Sequence, residues 1–284
     1  METLTLPDGR TLEFGVSGPT DGVPLLFHHG TPCSGFQIRA FQWAAHDRGL
    51  RMVSFSRPGY GSSTRLAGRD VAATVVECEA LLDHLAAPRC VVAGWSGGGP
   101  HALATAAGLP RRVAAVATIA GIAPYALKPR SPGVDGEDAG EGPREGESEL
   151  RPLCEERAVA LRGGAESLMR TWSTALADVD RPVMAQGFGE DVAASVSDAL
   201  RTGVDGYVDD NLAFRRDWGF ALEDVAAPYS VWHGREDRMV PVTEGEWLAE
   251  HLPKAAAYLE DGEGHMSICV NAFDRVVAEL VEHL

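Results

Sequence analysis

One serine, Ser96, lies within a run of glycines. The motif Gly94-Trp95-Ser96-Gly97-Gly98 reads G-x-S-x-G, and it lies between the apolar run VVA and the helical pattern PHALATAAG. This order predicts a sharp strand-to-helix turn that lifts the serine hydroxyl above the carboxyl edge of a sheet. Such a turn strains the serine backbone by about 1–3 kcal/mol and leaves no space for Cβ atoms two residues to either side. A phosphate-binding loop is the alternative, but no G-x-x-x-x-G-K-[ST] pattern accompanies it. We therefore interpret Ser96 as a nucleophile.

A nucleophilic serine needs a base, and the base needs a carboxylate that fixes its tautomer and stabilises its charged form. Asp237 follows the apolar run YSVW in the loop HGRED, and His265 follows the run AAAYLE through the loop DGEG. Because the carboxyl ends of parallel strands meet at one edge of a sheet, we expect both side chains at the edge that carries Ser96. The sequence thus predicts a triad of Ser96, Asp237 and His265, with Glu236 as the rival acid.

Acyl transfer also needs N–H groups that point at the developing oxyanion. Gly97 supplies one at the start of a helix, and Thr31 in the stretch HHGTP supplies the second, because Pro32 has no N–H. We interpret His28 and His29, in the same stretch, as hydrogen-bonding groups that shape the loop, since one base is enough. The histidines show no H-E-x-x-H or other ligand spacing, so we expect neither a metal nor a cofactor.

The elements that must position these residues alternate between strand and helix. Residues 3–6 and 11–16 flank the turn pair Asp8-Gly9, which predicts an antiparallel hairpin. Short apolar runs without polar alternation then predict strands covered on both faces, with helical periods between them. The expected strands are 24–29, 51–56, 89–94, 112–120, 228–234 and 255–260, and the clearest helices are 71–87, 243–252 and 266–284. This alternation favours an α/β fold with a mainly parallel sheet and right-handed crossovers.

Residues 121–220 interrupt the alternation. The acidic stretch 128–151 holds five glycines and three prolines and has little to bury, so we expect a mobile, solvated linker. From about 152 to 218 the signals are helical. The chain is therefore predicted to contain a core domain of residues 1–120 and 221–284, with a helical lid inserted at 121–220.

Composition narrows the class of protein. The chain has 284 residues, of which 45% are hydrophobic, enough for a large core. A formal charge of −16 disfavours nucleic acid and anionic membranes as partners, and no specific protein partner is implied. No segment reaches the roughly 18 uninterrupted apolar residues of a membrane span, and the N-terminus lacks a signal-peptide pattern. We expect a soluble, cytoplasmic protein whose five cysteines are reduced core thiols.

Five motifs together resemble the α/β-hydrolase superfamily over nearly the whole chain outside residues 121–220. They are HHGTP, SRPGYGSS, GWSGGGPHAL, HGREDRMVP and GEGH, in the order and spacing of that family. The resemblance implies an eight-stranded, mostly parallel sheet whose second strand is antiparallel, with helices on both faces and an all-α lid after the sixth strand. It also implies Ser96 as nucleophile, Asp237 as acid, His265 as base, and Thr31 and Gly97 as oxyanion donors.

The resemblance further implies a serine hydrolase, with a carboxylesterase or lactonase for small or medium neutral substrates as the favoured activity. We expect apolar lid residues to form the acyl pocket, and the candidate substrate-binding residues are His29, Trp95, Trp172, Phe188 and Phe214. Dehalogenases and epoxide hydrolases carry aspartate where Ser96 stands, and proline iminopeptidases, which share the overall layout, read HGGPG where this chain reads HHGTP. Aminopeptidases, cofactor-free haloperoxidases or perhydrolases, carbon–carbon bond hydrolases, and a ligand sensor or scaffold without activity are the alternatives.

Overall fold

The computed structural model describes residues 1–124, 146–252 and 254–284. Eight strands of the described residues form one sheet. They are β1 (Glu2–Thr5), β2 (Thr11–Ser17), β3 (Pro24–His28), β4 (Arg51–Phe55), β5 (Cys90–Trp95), β6 (Val113–Ile119), β7 (Tyr229–Gly234) and β8 (Ala256–Glu260). Their order across the sheet is β1-β2-β4-β3-β5-β6-β7-β8. Only β2 runs against its neighbours β1 and β4 among these strands, so the predicted hairpin and the antiparallel second strand are confirmed.

The helices of the described residues fall into two groups. Those of the α/β core are α1 (Arg39–His46), α2 (Thr74–His84), α3 (Gly98–Gly108), α9 (Val242–His251) and α10 (Ser267–Val281). Those between β6 and β7 are α4 (Glu147–Leu161), α5 (Ala165–Thr171), α6 (Arg181–Met184), α7 (Gly187–Ala199) and α8 (Asp205–Phe214). We refer to the described residues 146–220 as the insertion. The helical insertion predicted after the sixth strand is confirmed.

The sheet separates two apolar clusters because its central strands are buried on both faces. Val91 and Ala93 of β5 point into the cluster that holds Phe41 of α1 and Phe273 of α10. Val92 points into the other cluster, which is built with side chains of α2, α3 and α9. Successive strand side chains point to opposite faces, so a continuous apolar run serves both clusters. Because β3, β5, β6, β7 and β8 run parallel, the carboxyl ends of β3, β5, β7 and β8 meet at one edge of the sheet.

The predicted linker at 128–151 needs a correction at its end. Residues 128–145 lie outside the described residues, but α4 begins at Glu147, so the last residues of the stretch are helical. Leu150, Cys154 and Ala158 follow at helical spacing and are buried. Glu147 and Glu149 lie in the first turn, where acidic side chains stabilise the helix dipole. The division into a core domain and a lid at residues 120 and 221 stays a prediction.

The insertion packs directly on the core. Phe188 of α7 lies 6.0 Å from the ring of Phe41 and 6.0 Å from the ring of Trp95, measured between ring centroids. Insertion residues such as Leu168 and Val192 belong to the same buried cluster as these core aromatics.

Within the described ranges, no helix combines the length and the apolar character needed to cross a bilayer.

Candidate active site

Ser96 lies in the turn between β5 and α3 with a backbone φ of +54°. This left-handed conformation is strained for any residue other than glycine. Two backbone hydrogen bonds hold it: the Ser96 N–H donates to the Ile119 carbonyl at 2.9 Å, and the Ser96 carbonyl accepts from the Gly99 N–H at 2.9 Å. The Ser96 side chain is partly exposed while its neighbours on both sides are buried. The turn thus leaves Ser96 accessible between two buried neighbours.

Gly94 and Gly98 let the strand and the helix approach each other around this turn. A Cβ atom on Gly98 would lie 2.1 Å from the carbonyl oxygen of His28, and one on Gly94 would lie 2.3 Å from the carbonyl oxygen of Gly98. Both oxygen atoms belong to the backbone, so a change of side-chain rotamer cannot relieve the clash. The predicted lack of space two residues to either side of Ser96 is confirmed.

Asp237 and His265 lie in hydrogen-bonding contact after β7 and β8. His265 Nδ1 is 2.7 Å from Asp237 Oδ2, and the side chains are 3% and 0% exposed. The other carboxylate oxygen, Oδ1, accepts the N–H groups of Met239 and Val240, each at 2.8 Å. Glu236, the rival acid, is exposed. The carboxylate is therefore fixed by its own loop and contacts the imidazole through Nδ1, so Nε2 is the ring nitrogen that this acid does not bind.

The electrostatics of this pair suit a base. Burial by itself raises the pKa of Asp237, but the charge of His265 and hydrogen bonds from His233 and His265 outweigh it and hold the pKa well below its ordinary value. Burial by itself lowers the pKa of His265, yet Asp237 and, more weakly, Asp180 raise it above 6.5. The His265 ring lies 5.8 Å from that of Trp95, the residue before Ser96. The imidazole is thus beside the turn that carries the serine.

His233 is a member of this site that the sequence analysis did not assign. Its side chain is fully buried, and its Nε2 lies 2.8 Å from the Val240 carbonyl and 3.4 Å from Asp237 Oδ2. Two acceptors face this nitrogen, so it carries the proton and donates. The imidazole therefore binds both the carboxylate and the backbone of residues 235–240, which we call the acid loop. Its position directly after the strand YSVW is the signal that could have indicated it.

The loop of residues 28–32, which we call the HHGTP loop, lies against the serine turn. A Cβ atom on Gly97 would lie 2.5 Å from Thr31 Oγ1, and one on Gly30 would lie 3.5 Å from the Ser96 Cβ. Thr31 and Gly97 are therefore neighbours, next to the serine. Their role as oxyanion donors stays a prediction.

The direction of the Thr31 N–H is fixed through the carbonyl of the same peptide group. The Gly30 carbonyl accepts hydrogen bonds from His29 Nδ1 at 2.7 Å and from Arg57 Nη2 at 3.2 Å. In a trans peptide the C=O and N–H point in opposite directions. The N–H of Thr31 consequently points away from Arg57. The backbone N–H of Arg57 donates to His29 Nε2 at 3.3 Å, so one ring nitrogen of His29 bonds within the loop and the other bonds to Arg57.

Asp210, from α8 of the insertion, anchors the HHGTP loop. Its Oδ2 accepts the Thr31 hydroxyl at 2.6 Å, Arg57 Nη2 at 2.6 Å and the Tyr60 hydroxyl at 2.9 Å. Its Oδ1 accepts Arg57 Nε at 3.2 Å and Arg69 Nη2 at 2.5 Å. The carboxylate is fully buried, and although burial raises its pKa, the two guanidinium groups hold that pKa well below the ordinary value. Neither Asp210 nor Arg57 was indicated by the sequence analysis.

The two histidines of the HHGTP loop, His28 and His29, are held uncharged. Burial, followed by the charge of Arg57, lowers the pKa of His28 to about 3 and that of His29 well below its ordinary value. His28 Nε2 is 3.0 Å from the Thr105 hydroxyl, behind the serine turn. These contacts agree with the predicted loop-shaping interpretation of both residues. In the parts of the chain that the structure describes, no three His, Cys, Asp or Glu side chains are grouped to hold a metal ion.

The predicted pocket residues differ in how near they lie to the serine. Trp95 packs against Phe188 of α7, and Phe214 of α8 lies close enough to Gly97 that a Cβ atom there would be 2.9 Å from its ring. Trp172, at the end of α5, is half-buried and packs against the same apolar cluster. Phe188 and Phe214 thus bring apolar surface of the insertion to the two sides of the turn.

Known proteins resemble this chain in sequence and in fold. The family model described as alpha/beta hydrolase fold matches residues 23–272. The hydrolase YcgS of Bacillus subtilis (strain 168) is 34% identical over 113 residues, which are 40% of this chain and only 38% of that protein. The bifunctional esterase/perhydrolase DCH of Acinetobacter calcoaceticus is 26% identical over 245 residues, 85% of this chain and 84% of that protein. A thermophilic esterase from Thermogutta terrifontis superimposes with a TM-score of 0.68 and 21% identity, over 99% of this chain and 96% of that chain, a likeness of fold alone.

Proposed function

Since the chain belongs to the α/β-hydrolase family, we propose that it is a serine hydrolase that cleaves carboxylic esters or lactones through an acyl-enzyme on Ser96. The observation that carries the proposal is the 2.7 Å contact between His265 Nδ1 and Asp237 Oδ2 beside the strained serine turn. The acid is ionised and fixed by its loop, so it holds the imidazole in one tautomer and stabilises the imidazolium that forms.

The proposed reaction has two halves. Ser96 Oγ attacks the acyl carbon while His265 Nε2 takes the hydroxyl proton. The resulting oxyanion accepts hydrogen bonds from the backbone N–H groups of Thr31 and Gly97. The intermediate collapses, the alkoxide leaves with the proton from His265, and the acyl group stays on Ser96. Water then attacks the acyl carbon while His265 takes its proton. The bond to Ser96 Oγ breaks as His265 returns that proton to the serine oxygen, and the carboxylic acid is released.

The substrate side of the proposal rests on the insertion. Trp95, Phe188 and Phe214 place aromatic surface next to the turn, and apart from Asp237 and His265 the charged side chains beside the HHGTP loop, Arg57 and Asp210, are paired with each other and buried. An apolar wall without a free charge favours an uncharged acyl group. We therefore propose a small or medium neutral substrate.

The test is a panel of p-nitrophenyl esters, lactones, thioesters and aminoacyl arylamides with the wild type and Ser96→Ala. A fluorophosphonate should label Ser96 covalently, and Ser96→Ala should lose both labelling and ester turnover while its circular dichroism is unchanged. Turnover that survives in a folded Ser96→Ala protein would disprove the assignment. Hydrolysis of the arylamides alone would favour an aminopeptidase.

Perhydrolysis is a second candidate, because the relative DCH, which covers most of this chain, is described as both an esterase and a perhydrolase. The first half-reaction is the same. Hydrogen peroxide then takes the place of water and attacks the acyl carbon of acyl-Ser96 while His265 takes its proton. The peracid leaves as the bond to Ser96 Oγ breaks and that proton passes to the serine oxygen. Peracid formed from ester and peroxide by the wild type, and absent with Ser96→Ala, would support this activity.

A further inference from the structure

Asp180 is a buried acid of the insertion that lies under the loop of the predicted base. It ends the short 3-10 helix Asp178–Asp180 and has no exposed surface. Its Oδ1 accepts the N–H groups of Met266 and Ser267, both at 2.9 Å, and its Oδ2 accepts the N–H of His265 at 3.2 Å. One carboxylate from the insertion therefore binds three successive backbone N–H groups around His265.

The histidine loop, residues 261–266, is shaped to receive this carboxylate. A Cβ atom on Gly264 would lie 2.5 Å from Asp180 Oδ1, so only glycine leaves the space. The Gly264 N–H donates to Ser267 Oγ at 2.8 Å. The N–H groups at the start of α10 have no partner within the helix, and they form its positive end. Asp180 supplies both the acceptors and the negative charge that this end requires.

We propose that Asp180 is a positioning residue: from the insertion it fixes the backbone of His265, so that the imidazole keeps its contact with Asp237 and its place beside Ser96. The proposal rests on the proposed function, in which His265 is the base. It gives the insertion a part in catalysis that is separate from lining the substrate pocket.

The charged groups around His265 allow the effect of Asp180 to be measured. Asp237 binds the His265 imidazole, and His233 contacts the same carboxylate. Asp180 accepts the backbone N–H of His265. Glu263 is bound by Asn271, and the charged side chains of Asp261 in the histidine loop and of Glu236 and Arg238 in the acid loop are exposed. The negative charge of Asp180 contributes to the raised pKa of His265. Removal of that charge therefore lowers the pKa of the base.

The experiment compares Asp180→Asn with Asp178→Asn, a matched control on the same turn. Asp178 is 83% exposed, and the described contact of its side chain is an ion pair with Arg181 at 3.4 Å. For a p-nitrophenyl ester, Asp180→Asn should lower kcat by about ten- to a hundredfold, because a small misplacement of a catalytic group has such a cost, and KM should change by less than about threefold. The acid limb of kcat/KM, which reports the base of the free enzyme, should move to lower pH. Asp178→Asn should leave the rate and the limb unchanged.

A folded Asp180→Asn protein whose acid limb stays at the wild-type pH would overturn the proposal. If that variant does not fold, Asp180→Ser, which is smaller and keeps one acceptor, is measured in the same way with the same expected shift. Ser96→Ala is run in parallel. Retained turnover in Ser96→Ala would disprove the proposed function itself, whereas an unmoved limb with an inactive Ser96→Ala would disprove only the role of Asp180.

Discussion

Thr31→Val removes the hydroxyl that joins the HHGTP loop to the insertion and keeps the size of the side chain. In the wild type this hydroxyl donates to Asp210 at 2.6 Å and accepts from Arg57 at 2.9 Å. Both partners are charged and buried. The valine therefore leaves one guanidinium N–H and one carboxylate lone pair without this partner, in a place that water does not reach.

The expected loss of stability follows from these two bonds. A hydrogen bond to a charged group contributes about 1.5–3 kcal/mol. Asp210 keeps its bonds to Arg57, Arg69 and Tyr60, so the lower end of the range applies to each bond. Thr31→Val should lower the free energy of unfolding by about 3 kcal/mol, and Tm by about 6–12 °C for a chain of this size. Thr31→Ser keeps the hydroxyl and should lose only about 1 kcal/mol, the contribution of one methyl group.

Urea unfolding followed by circular dichroism measures the difference between the two variants, and the rate of fluorophosphonate labelling reports on the site. Loss of one oxyanion donor has a cost of about a hundred- to a thousandfold in rate. A donor that is only released from its anchor should have a smaller cost, about tenfold, in Thr31→Val and almost none in Thr31→Ser. If the valine variant unfolds within about 0.5 kcal/mol of the serine variant and labels as fast, the hydroxyl does not anchor the loop.

Three further predictions concern the base, the turn and the thiols. Because the pKa of His265 is raised above 6.5 and the base must be neutral, kcat/KM should rise with pH through an apparent pKa above that value, and a limb centred at or below 6.5 would contradict this. The Cβ of Gly98→Ala would lie 2.1 Å from the His28 carbonyl oxygen, so this variant should be destabilised by about 3 kcal/mol. The Cβ of Gly99→Ala would lie 3.1 Å from its nearest neighbour, so that variant should lose clearly less stability. Equal urea midpoints for the two variants would refute the steric argument. All five cysteines are buried with a raised pKa, so a disulfide reagent should titrate none within minutes in the native protein and five after denaturation, and fast native labelling would count against this.

The parts of the fold that the sequence predicted are those in which the signal is local. The strand, turn and helix around Ser96 follow one another without a gap, and the glycines at 94 and 98 have a steric reason that two neighbouring elements impose. The expected strands agree with the observed ones to within one residue at either end. The predicted end of the linker is wrong because glycines and acidic residues continue in the sequence up to residue 149. The helix α4 nevertheless begins at Glu147, and Leu150 is the first buried residue of its apolar face.

The two anchoring acids could not be predicted in the same way. Asp180 and Asp210 lie in helical segments rich in acidic residues, where spacing does not tell which carboxylate turns inward. The partners of Asp210 are remote, since Arg57 and Arg69 are 153 and 141 residues away in the chain. Burial of a carboxylate is decided by what tertiary packing brings beside it, and a pattern of 3.6-residue periods holds no such information.

The attachment of the insertion at Asp180 and Asp210 limits how the enzyme can be re-engineered. Chimeras that exchange this segment with that of another hydrolase would cut both attachments unless the donor segment brings acidic side chains to the same two places. A graft meant to alter selectivity should therefore retain residues 177–181 and α8 from the recipient chain, and vary α4, α5 and α7. Libraries designed in this way would vary the surface around Phe188, which packs against Trp95, and leave the contacts of Asp180 and Asp210 in place.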